Sequence, residues 1–414
     1  MKIYLVGGAV RDFLLNLPVK DRDWVVVGST PKELKKNKFK QVGKDFPVFL
    51  HPKTFEEYAL ARTEKKFGFG YTGFSTNYSK NVTLYEDLMR RDLTINAIAQ
   101  DKNGNFIDPL NGRRDIKLRL LKHVSKAFKE DPLRILRTAR FAAQFSHLGF
   151  RIEKKTMVFM KSITKTGEIS FLTSHRIWNE TKKALITNSP HIYFYVLKKC
   201  NALSVLFPEI YHLYNIKLNC GNCCNNNLGD YFLYSLSNFS KSNFKLDIRF
   251  SFICQFFFYY KNIFSFIKNK KNYSDFQINL VKNMLKRLNV PIYIQNLSLI
   301  VSENYFLLHN IFFLSSKDIV ILFDRINVWR NPNKVIKIGI LSEYCIFFKE
   351  CNCFLKKYKI RNFFKIVFFI LSAVSVKFVI KEGFKGFYIK KELLKLRTLF
   401  LDIYRLKVFL VTKT

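Results

Sequence analysis

Two aspartates, Asp21 and Asp23, stand one residue apart at the head of the apolar run 24–27. In a strand, residues i and i+2 point to the same side, so the two carboxylates converge on one face. Carboxylates at this separation repel each other unless a cation lies between them, and hard oxygen ligands suit Mg²⁺. Taken alone, the pair is more typical of a turn with two solvated acids.

The segment before the aspartates favours the chemical interpretation. A strand is predicted over Lys2–Val6 and a helix over Ala9–Asn16, with Gly7 and Gly8 in the turn between them. Glycines at such a turn let a phosphate approach the backbone amides at the positive end of the helix. Arg11, one turn into the helix, can reach the same phosphates. The segment therefore predicts a phosphate site beside the two carboxylates.

A third acid on a neighbouring strand would complete a site for two metal ions. Glu57 alternates with Ala59 and Ala61 on one face of the predicted strand Glu56–Arg62. Glu56 points to the other face of that strand, so Glu57 is the stronger candidate.

Three arginines recur every three residues in the segment EDPLRILRTARF, at Arg134, Arg137 and Arg140. At helical spacing they lie along adjoining turns of one helix surface. A charge run of this kind is usually an exposed basic face. Here it is interleaved with a predicted buried side, and arginine suits the oxygens of a triphosphate. The residues of that buried side are Ile135, Leu136 and Phe141.

The elements predicted around these groups change character along the chain. Further strands are predicted over Asp23–Val27 and Phe46–Leu50, and the segment 29–33 (STPKE) combines a capping hydroxyl, a first-turn proline and an early acid. Helical spacing begins near Leu84 and dominates after Asp131. A mixed N-terminal domain followed by a helical scaffold is therefore expected.

Composition excludes a mostly disordered chain, because 48% of the 414 residues are apolar and 16% are aromatic. The length predicts two or more packed units. Lys and Arg number 70 against 31 Asp and Glu, a formal charge of +39. Residues 1–140 carry +12 and the remainder +27. So large an excess predicts a polyanionic partner, either nucleic acid or an acidic membrane face.

Membrane insertion is not expected from the apolar segments. The opening residues are broken by glycines and charges, which argues against a secretory signal and for a cytoplasmic protein. The stretch Ile248–Ile267 carries charged and polar side chains, and Ile366–Val376 is too short to span a bilayer. Both are predicted to be buried helices.

The eight cysteines raise the question of a zinc site. They include the close groups CGNCC and CNC, but the regular CxxC spacing occurs once. Cysteines in a region rich in Phe and Tyr are more often core residues, so metal binding is not predicted. Their positions are Cys200, Cys220, Cys223, Cys224, Cys254, Cys345, Cys351 and Cys353.

Five segments in fixed order carry a family resemblance: LVGGAVRD, KDRDW, EEYALARTE, RRDLTINA and EDPLRILRTARF. Together they resemble the bacterial class II tRNA nucleotidyltransferases, the CCA-adding enzymes of the DNA polymerase beta superfamily. The resemblance is nearly continuous over residues 1–210 and then thins. It implies an α+β fold, with a nucleotidyltransferase head holding a small mixed sheet (1–138), a helical neck (139–210), and a helical body and tail (211–414).

The resemblance also implies roles for individual residues. Asp21 and Asp23 would be Mg²⁺ ligands and Glu57 the third catalytic carboxylate. One Mg²⁺ would activate a terminal ribose hydroxyl and another would stabilise the leaving pyrophosphate. The residues implied to bind the incoming CTP or ATP are Gly8, Arg11, Arg91, Arg137 and Arg140.

Selection of the base is implied for Asp131 and Arg134. Cytosine and adenine both present an exocyclic amine beside a ring-nitrogen acceptor, and uracil and guanine present the reverse order. A carboxylate accepts from the amine and a guanidinium donates to the ring nitrogen, so this pair would select C and A together.

The partner implied is tRNA, held by its acceptor and T arms. The protein is expected to be a monomer and not to bind membranes. Some family members carry an HD-type phosphohydrolase in the body, which requires histidine and aspartate metal ligands. The corresponding segment here, LDIRFSFICQFFFYYKN, has aromatic residues in their place. Phosphohydrolase activity is therefore expected to be absent.

Two other functions remain open at this point. A bacterial poly(A) polymerase has a similar head and would add many residues from ATP. A non-catalytic tRNA-binding relative would have lost the chemistry, but Asp21, Asp23, Glu57 and Arg91 are all present, which argues against it.

Overall fold

The computed structural model describes residues 1–42, 48–66, 68, 74–217, 227–258, 270–344 and 360–411. The chain divides into two compact units. The first comprises Met1–Asn215 with Gly229–Lys241, and the second comprises Ile216–Leu228 with Ser242–Thr414. The predicted head and neck thus belong to one unit, and the boundary between them at residue 138 stays a prediction.

The first unit contains a mixed sheet with the strand order β3-β4-β5-β2-β1-β8-β9. Strands β2 and β5 run parallel, and the other neighbours in this sheet are antiparallel. Two small sheets pair β6 with β7 and β10 with β11. The strands are β1 (Lys2–Val6), β2 (Asp23–Val27), β3 (Lys40–Gln41), β4 (Val48–Leu50), β5 (Glu57–Leu60), β6 (Thr63–Lys66), β7 (Phe74–Asn77), β8 (Ala99–Gln100), β9 (Phe106–Ile107), β10 (Leu120–Leu121) and β11 (Arg151–Ile152).

Apolar side chains cover both faces of the central strand β2. Val25 packs with Val6 and Ala61 on one face, while Val26 packs with Phe49 and Leu60 on the other. Because alternate residues point to opposite faces, this packing fixes which way the residues at the start of β2 project.

Helices surround the sheet and continue into the neck. They are α1 (Gly8–Leu14), α2 (Pro31–Lys36), α3 (Leu84–Met89), α4 (Gly112–Lys117), α5 (Leu133–Phe145), α6 (Lys154–Lys165), α7 (Ser174–Leu185), α8 (Pro190–Lys199), α9 (Leu203–Leu206), α10 (Pro208–Tyr211) and α11 (Leu228–Ser240). The helix start predicted at 29–33 is confirmed, since the Thr30 hydroxyl accepts from the Glu33 amide in a capping box. Helix α5 buries Ile135, Leu136 and Ala139.

Among its described residues the second unit contains helices and one isolated β-bridge, between Lys217 and Asn227. Its helices are α12 (Leu246–Gln255), α13 (Lys270–Arg287), α14 (Ile292–Glu303), α15 (Tyr305–His309), α16 (Ser316–Arg325), α17 (Asn333–Tyr344), α18 (Ile360–Ser372), α19 (Val376–Lys381) and α20 (Phe387–Val411). Aromatic side chains fill its core, as in the stacked rings of Phe323 and Phe364, whose centroids are 5.7 Å apart.

The two apolar stretches compare differently with their predictions, since the described part of the first is buried as expected and the second departs from its prediction. Residues Ile248–Phe257 are buried, and 259–267 lie outside the described residues. The run Ile366–Val376 is not one helix, because the chain turns between α18 and α19, where the Ser375 hydroxyl caps α19. It is also not wholly buried, since Phe369 is 80% exposed.

The estimate that this apolar region is too short to span a bilayer also needs correction. The longer stretch 360–381 has 22 residues and a mean hydropathy of 2.2, so by length and composition alone it is a candidate span; 28% of its most apolar window is buried. This is weak support for a membrane segment, because core helices of soluble proteins pass the same test.

Two of the eight cysteines lie among the described residues, and both are buried. Burial raises the pKa of the Cys200 thiol to about 11. These two are core residues, as expected. The cysteines of the CGNCC and CNC groups, at 220, 223, 224, 345, 351 and 353, lie outside the described residues.

Candidate active site

A cleft of about 880 Å³ opens in the first unit between the sheet, helix α1 and helices α5 and α7. Ten basic and six acidic side chains line it, a net charge of +4. Nine of the ten predicted site residues are among its lining: Gly8, Arg11, Asp21, Asp23, Arg91, Asp131, Arg134, Arg137 and Arg140. The tenth, Glu57, is not.

Asp21 and Asp23 lie where the chain enters strand β2. Burial raises the pKa of Asp23 above its ordinary value; Arg91 lowers it, and the like charge of Asp21 raises it further. Within the described part of the chain, no side chain donates a hydrogen bond to either carboxylate. The carboxylate oxygens of Asp21 and Asp23 are the kind of ligand that a divalent cation requires. A bound cation would offset both the cost of burying the two charges and the repulsion between them.

Glu57 lies directly beside this pair in the sheet. It is the register partner of Asp23 on the parallel strand β5, so the two side chains project from the same face. Yet no group of three or more His, Cys, Asp or Glu side chains close enough to hold a metal ion occurs among the described residues. The structure brings Asp21 and Asp23 together and does not bring Glu57 into the same cluster.

The glycine turn lies against Arg91. Gly7 has a φ of +73°, which favours glycine, and a Cβ there would come within 3.0 Å of Arg91 Nη1. A Cβ on Gly8 would be 3.5 Å from Arg11 Nη2. Gly7 therefore leaves room for the Arg91 guanidinium, whereas a Cβ on Gly8 would make only an ordinary contact with Arg11.

Arg91 is held by a buried acid, Asp87, which is 0% exposed. Arg91 Nη2 donates to Asp87 Oδ2 at 3.0 Å, and Arg90 Nη2 donates to Oδ1 at 2.7 Å. Burial acts to raise the pKa of Asp87, but the two arginines lower it below its ordinary value. The carboxylate therefore stays charged and fixes both guanidinium groups.

A second buried acid, Asp92, holds Arg137. Arg137 Nε donates to Asp92 Oδ2 at 2.7 Å, and Asn96 Nδ2 donates to Oδ1 at 3.0 Å. Burial acts to raise the pKa of Asp92, but Arg137 and these hydrogen bonds lower it strongly, and Asp92 in turn raises the pKa of Arg137. Arg11 joins the same network, since its Nη1 donates to Asn96 Oδ1 at 2.6 Å.

Arg140 and Arg134 have other partners. Arg140 Nε donates to Glu180 Oε2 on helix α7 at 2.5 Å. Arg134 donates instead to backbone oxygens, those of Arg90 at 2.5 Å and Arg91 at 3.4 Å, and burial lowers its pKa. Arg134 and Arg140 are each 8% exposed and the Arg137 side chain is 36% exposed, so the three arginines do not form a fully exposed basic face.

Asp131 and Arg134 both line the cleft, but the ion pair that Asp131 makes among the described residues is with Arg176. Arg176 Nη2 lies 2.9 Å from Asp131 Oδ2, and the Leu133 amide donates to Oδ1 at 3.0 Å. The carboxylate is thus oriented from both sides.

The prediction that Phe141 lies on the buried side of α5, with Ile135 and Leu136, is confirmed, since Phe141 is 4% exposed. The same side chain also lines the cleft among the arginines, which was not predicted. The residues that hold the arginines in place were not predicted from the sequence. Asp87 is detectable, because it lies on helix α3 four residues before Arg91, which follows the end of that helix. Glu180 and Arg176 have no local signal, since they contact Arg140 and Asp131 from another helix.

Two family models match this chain. One, described as "Poly A polymerase head domain", covers residues 3–122, and the other, "Probable RNA and SrmB- binding site of polymerase A", covers residues 149–213. Among curated proteins, the CCA-adding enzyme of Buchnera aphidicola subsp. Schizaphis graminum is 50% identical over 408 residues, 98% of each chain. The chain belongs to the CCA-adding enzymes.

Further CCA-adding enzymes agree with this assignment. That of Buchnera aphidicola subsp. Baizongia pistaciae is 48% identical over 423 residues, covering 100% of this chain and 99% of its own. Nucleotidyltransferases of this superfamily generally use divalent metal ions. The resemblance inferred from the five sequence segments is therefore confirmed.

Solved CCA-adding enzymes share the fold. The structure titled "The complex structure of CCA-adding enzyme with ATP" matches with a TM-score of 0.61 at 21% identity, covering 96% of this chain and 85% of that one. The Thermotoga maritima enzyme "complexed with tRNA_CCA" matches with a TM-score of 0.58 at 20% identity, covering 96% and 86%. The predicted fold class, a mixed sheet in the head followed by helices, is confirmed.

Proposed function

We propose that this protein adds and repairs the 3′-terminal CCA of tRNA from CTP and ATP, without a nucleic-acid template, and releases pyrophosphate. The observation that carries the proposal is the cleft itself, which joins a carboxylate pair to an array of fixed arginines. Membership of the CCA-adding enzymes and relatives at about half identity over the whole chain support the reaction.

The nucleotide would bind through its triphosphate. The net charge of +4 on the lining matches the negative charge of a nucleoside triphosphate. Gly8 would let the phosphates approach closely, and the guanidinium groups would donate to their oxygens. The arginines assigned to this role are Arg11, Arg91, Arg137 and Arg140.

Asp21 and Asp23 would hold Mg²⁺. When bound, the metal supplies charge neutralisation at the phosphates and lowers the pKa of the attacking ribose hydroxyl. The protein's own contribution is to hold the nucleotide in line with the 3′ end of the RNA and to neutralise charge with fixed arginines. Glu57 stays the proposed third carboxylate, supported by its register with Asp23.

Asp131 and Arg134 would select the base. A carboxylate that accepts from the exocyclic amine must be held in place, and Arg176 and the Leu133 amide orient Asp131 from two sides. With uracil or guanine, the Asp131 carboxylate would meet an acceptor and the Arg134 guanidinium would meet a donor. Both groups would lose their hydrogen bonds, which disfavours these two bases.

The +27 charge beyond residue 140 supports binding of the tRNA acceptor and T arms through their phosphates. We also propose that the protein acts in the cytoplasm and as a monomer.

We further propose that the second unit lacks phosphohydrolase activity. In the segment where the HD ligands would lie, Asp247 pairs with Lys337 at 2.5 Å, and Arg249 is buried. Both positions are occupied by structural interactions.

Incorporation of labelled nucleotides tests the function. The substrate is a tRNA that ends just before CCA, incubated with Mg²⁺ and CTP, ATP or both. Two C additions from CTP alone, followed by a single A when ATP is present, are expected. A long A ladder from ATP alone would identify a poly(A) polymerase, and tight tRNA binding without incorporation would identify a non-catalytic protein.

A further inference from the structure

Phe141 lies at the centre of three of the cleft arginines. The guanidinium carbons of Arg140, Arg11 and Arg137 lie 3.9, 5.1 and 5.7 Å from the centroid of its ring. Cations within about 6 Å of an aromatic centroid are attracted by the negative charge on the ring face. The uncharged ring of Phe141 thus interacts with three positively charged arginines.

The carboxylates alone do not explain how these arginines stay together. Arg137 and Arg140 are held from different elements, by Asp92 and Glu180, and these partners fix one edge of each guanidinium. The positive charges repel one another, and Arg140 lowers the pKa of Arg11 for this reason, after burial. A shared aromatic ring offsets that repulsion without neutralising any of the charges.

A second ring extends the arrangement. Phe145 lies parallel to Phe141, with centroids 5.9 Å apart and an interplanar angle of 1°, and Arg11 lies 4.9 Å from its centroid. Phe145 is fully buried, whereas Phe141 also lines the cleft. Phe141 is therefore the ring that lies beside both the arginines and the space for the nucleotide.

We propose that Phe141 is a positioning residue for the nucleotide triphosphate, and that its aromatic face sets the spacing of Arg11, Arg137 and Arg140. The inference rests on the proposed function, because it takes those arginines to be the phosphate ligands. It assigns a role in nucleotide affinity to a residue that carries no hydrogen-bonding group.

Steady-state kinetics of Phe141→Leu test this role. The variant keeps an apolar side chain and loses the ring, so KM for CTP and for ATP should each rise about ten-fold, with kcat within about two-fold of the wild type. Phe141→Tyr should restore most of the affinity. Phe150→Leu is the matched control, since Phe150 is also buried and carries one cation, Arg119, at 5.4 Å, outside the cleft.

Fluorinated phenylalanines at position 141 separate the ring's charge from its volume. Successive fluorines weaken the negative face while changing the size little, so KM should rise with each fluorine, and the same series at Phe150 should give no trend. A flat series at 141 would overturn the proposal even if Phe141→Leu raises KM, because only packing would then matter. This series also covers the case in which Phe141→Leu fails to fold.

Arg137→Ala and Arg140→Ala distinguish failure of this inference from failure of the proposed function. If neither raises KM for the nucleotides, the phosphate site itself is wrong and the role of Phe141 is lost with it. If both raise KM while the fluorine series is flat, the phosphate site stands and the ring's role alone is refuted.

Discussion

The carboxylate pair, Asp21 and Asp23, and the arginine set, Arg11, Arg91, Arg137 and Arg140, line one cleft but are held in different ways. Arg91, Arg137 and Arg140 each donate to a buried acid, and the Arg11 guanidinium contacts Asp12 and Asn96. Within the described residues, no side chain donates a hydrogen bond to the carboxylate pair, and burial raises the pKa of Asp23.

This difference indicates which part of the site is built before its ligands arrive. The arginine set is fixed by the fold and can bind phosphates without rearrangement, because its charges are already oriented. The carboxylate pair receives no hydrogen bond from a described side chain, and a divalent cation would relieve the repulsion between its two charges. The account therefore predicts that the two groups fail in different ways when they are mutated.

The largest effect is expected at the carboxylate pair. Asp21→Ala or Asp23→Ala should reduce nucleotide transfer by about 1,000-fold or more, because the ligands of the metal are lost. Binding of tRNA should stay nearly intact in a filter-binding assay. Glu56→Gln, at the residue just before β5 and outside the cleft lining, serves as the control and should retain activity. Equal loss of transfer and tRNA binding in Asp21→Ala or Asp23→Ala would mean that the pair is structural.

The contribution of Asp87, which holds Arg91 in place, should be measurable as protein stability. Asp87→Asn leaves two arginines without their buried partner, so the free energy of unfolding in urea at pH 7 should fall by about 3 kcal/mol. Asp101→Asn is the control: an exposed acid whose pKa is also lowered, chiefly by the Asn105 side chain, and whose loss should matter far less.

The direction of the Asp87 pKa shift determines how the stability difference between wild type and Asp87→Asn depends on pH. The pKa of Asp87 in the folded protein lies below its ordinary value of 3.8. The carboxylate therefore contributes its full stability above pH 3.8, and the contribution is lost as the pH falls through the lower, folded pKa. A difference between wild type and Asp87→Asn that already narrows between pH 7 and pH 5 would contradict this assignment.

Substitution of Arg134 should impair base selection more than it impairs metal binding. In Arg134→Ala, discrimination against UTP relative to CTP should fall about 30-fold, because the ring nitrogen loses its donor. Competition between labelled nucleotides measures this ratio, with Arg113→Ala, outside the cleft lining, as the control. An unchanged preference for C and A would refute the selecting role.

The smallest effect is expected at the glycine turn, where the chain offers a matched pair. Gly7 and Gly28 both have a φ of +73°, so Ala strains the backbone at either position. A Cβ meets Arg91 Nη1 at position 7 and nothing within 4 Å at position 28. Gly7→Ala should raise the nucleotide KM about five-fold, by displacing Arg91. An equal rise in Gly28→Ala would indicate strain alone.

Much of this site could be predicted because its residues lie close together in sequence. Strand β1 has the predicted bounds, and Arg134, Arg137 and Arg140 share one helix as their spacing requires. The role of Phe141 could not be read from periodicity, since an apolar residue at a helical spacing is ordinarily core. Only the placement of Arg11 from α1 shows that this ring lies at the cleft.

The features of the site that could not be predicted depend on contacts between segments that are distant in the sequence. Glu180 and Arg176 lie on α7, at least 40 residues after their partners Arg140 and Asp131, and no local pattern in the sequence marks them. The turn between α18 and α19 was missed for a different reason. Apolar composition continues through it, and a single capping hydroxyl, Ser375, begins the second helix.

The central claim is that the arginine set binds the triphosphate independently of the carboxylate pair, which serves the transfer step. Equilibrium binding of CTP and single-turnover transfer should be measured together for wild type and Asp23→Asn. The account predicts that CTP affinity changes by less than about three-fold in the variant while transfer is abolished. Loss of CTP binding in parallel with transfer would contradict it.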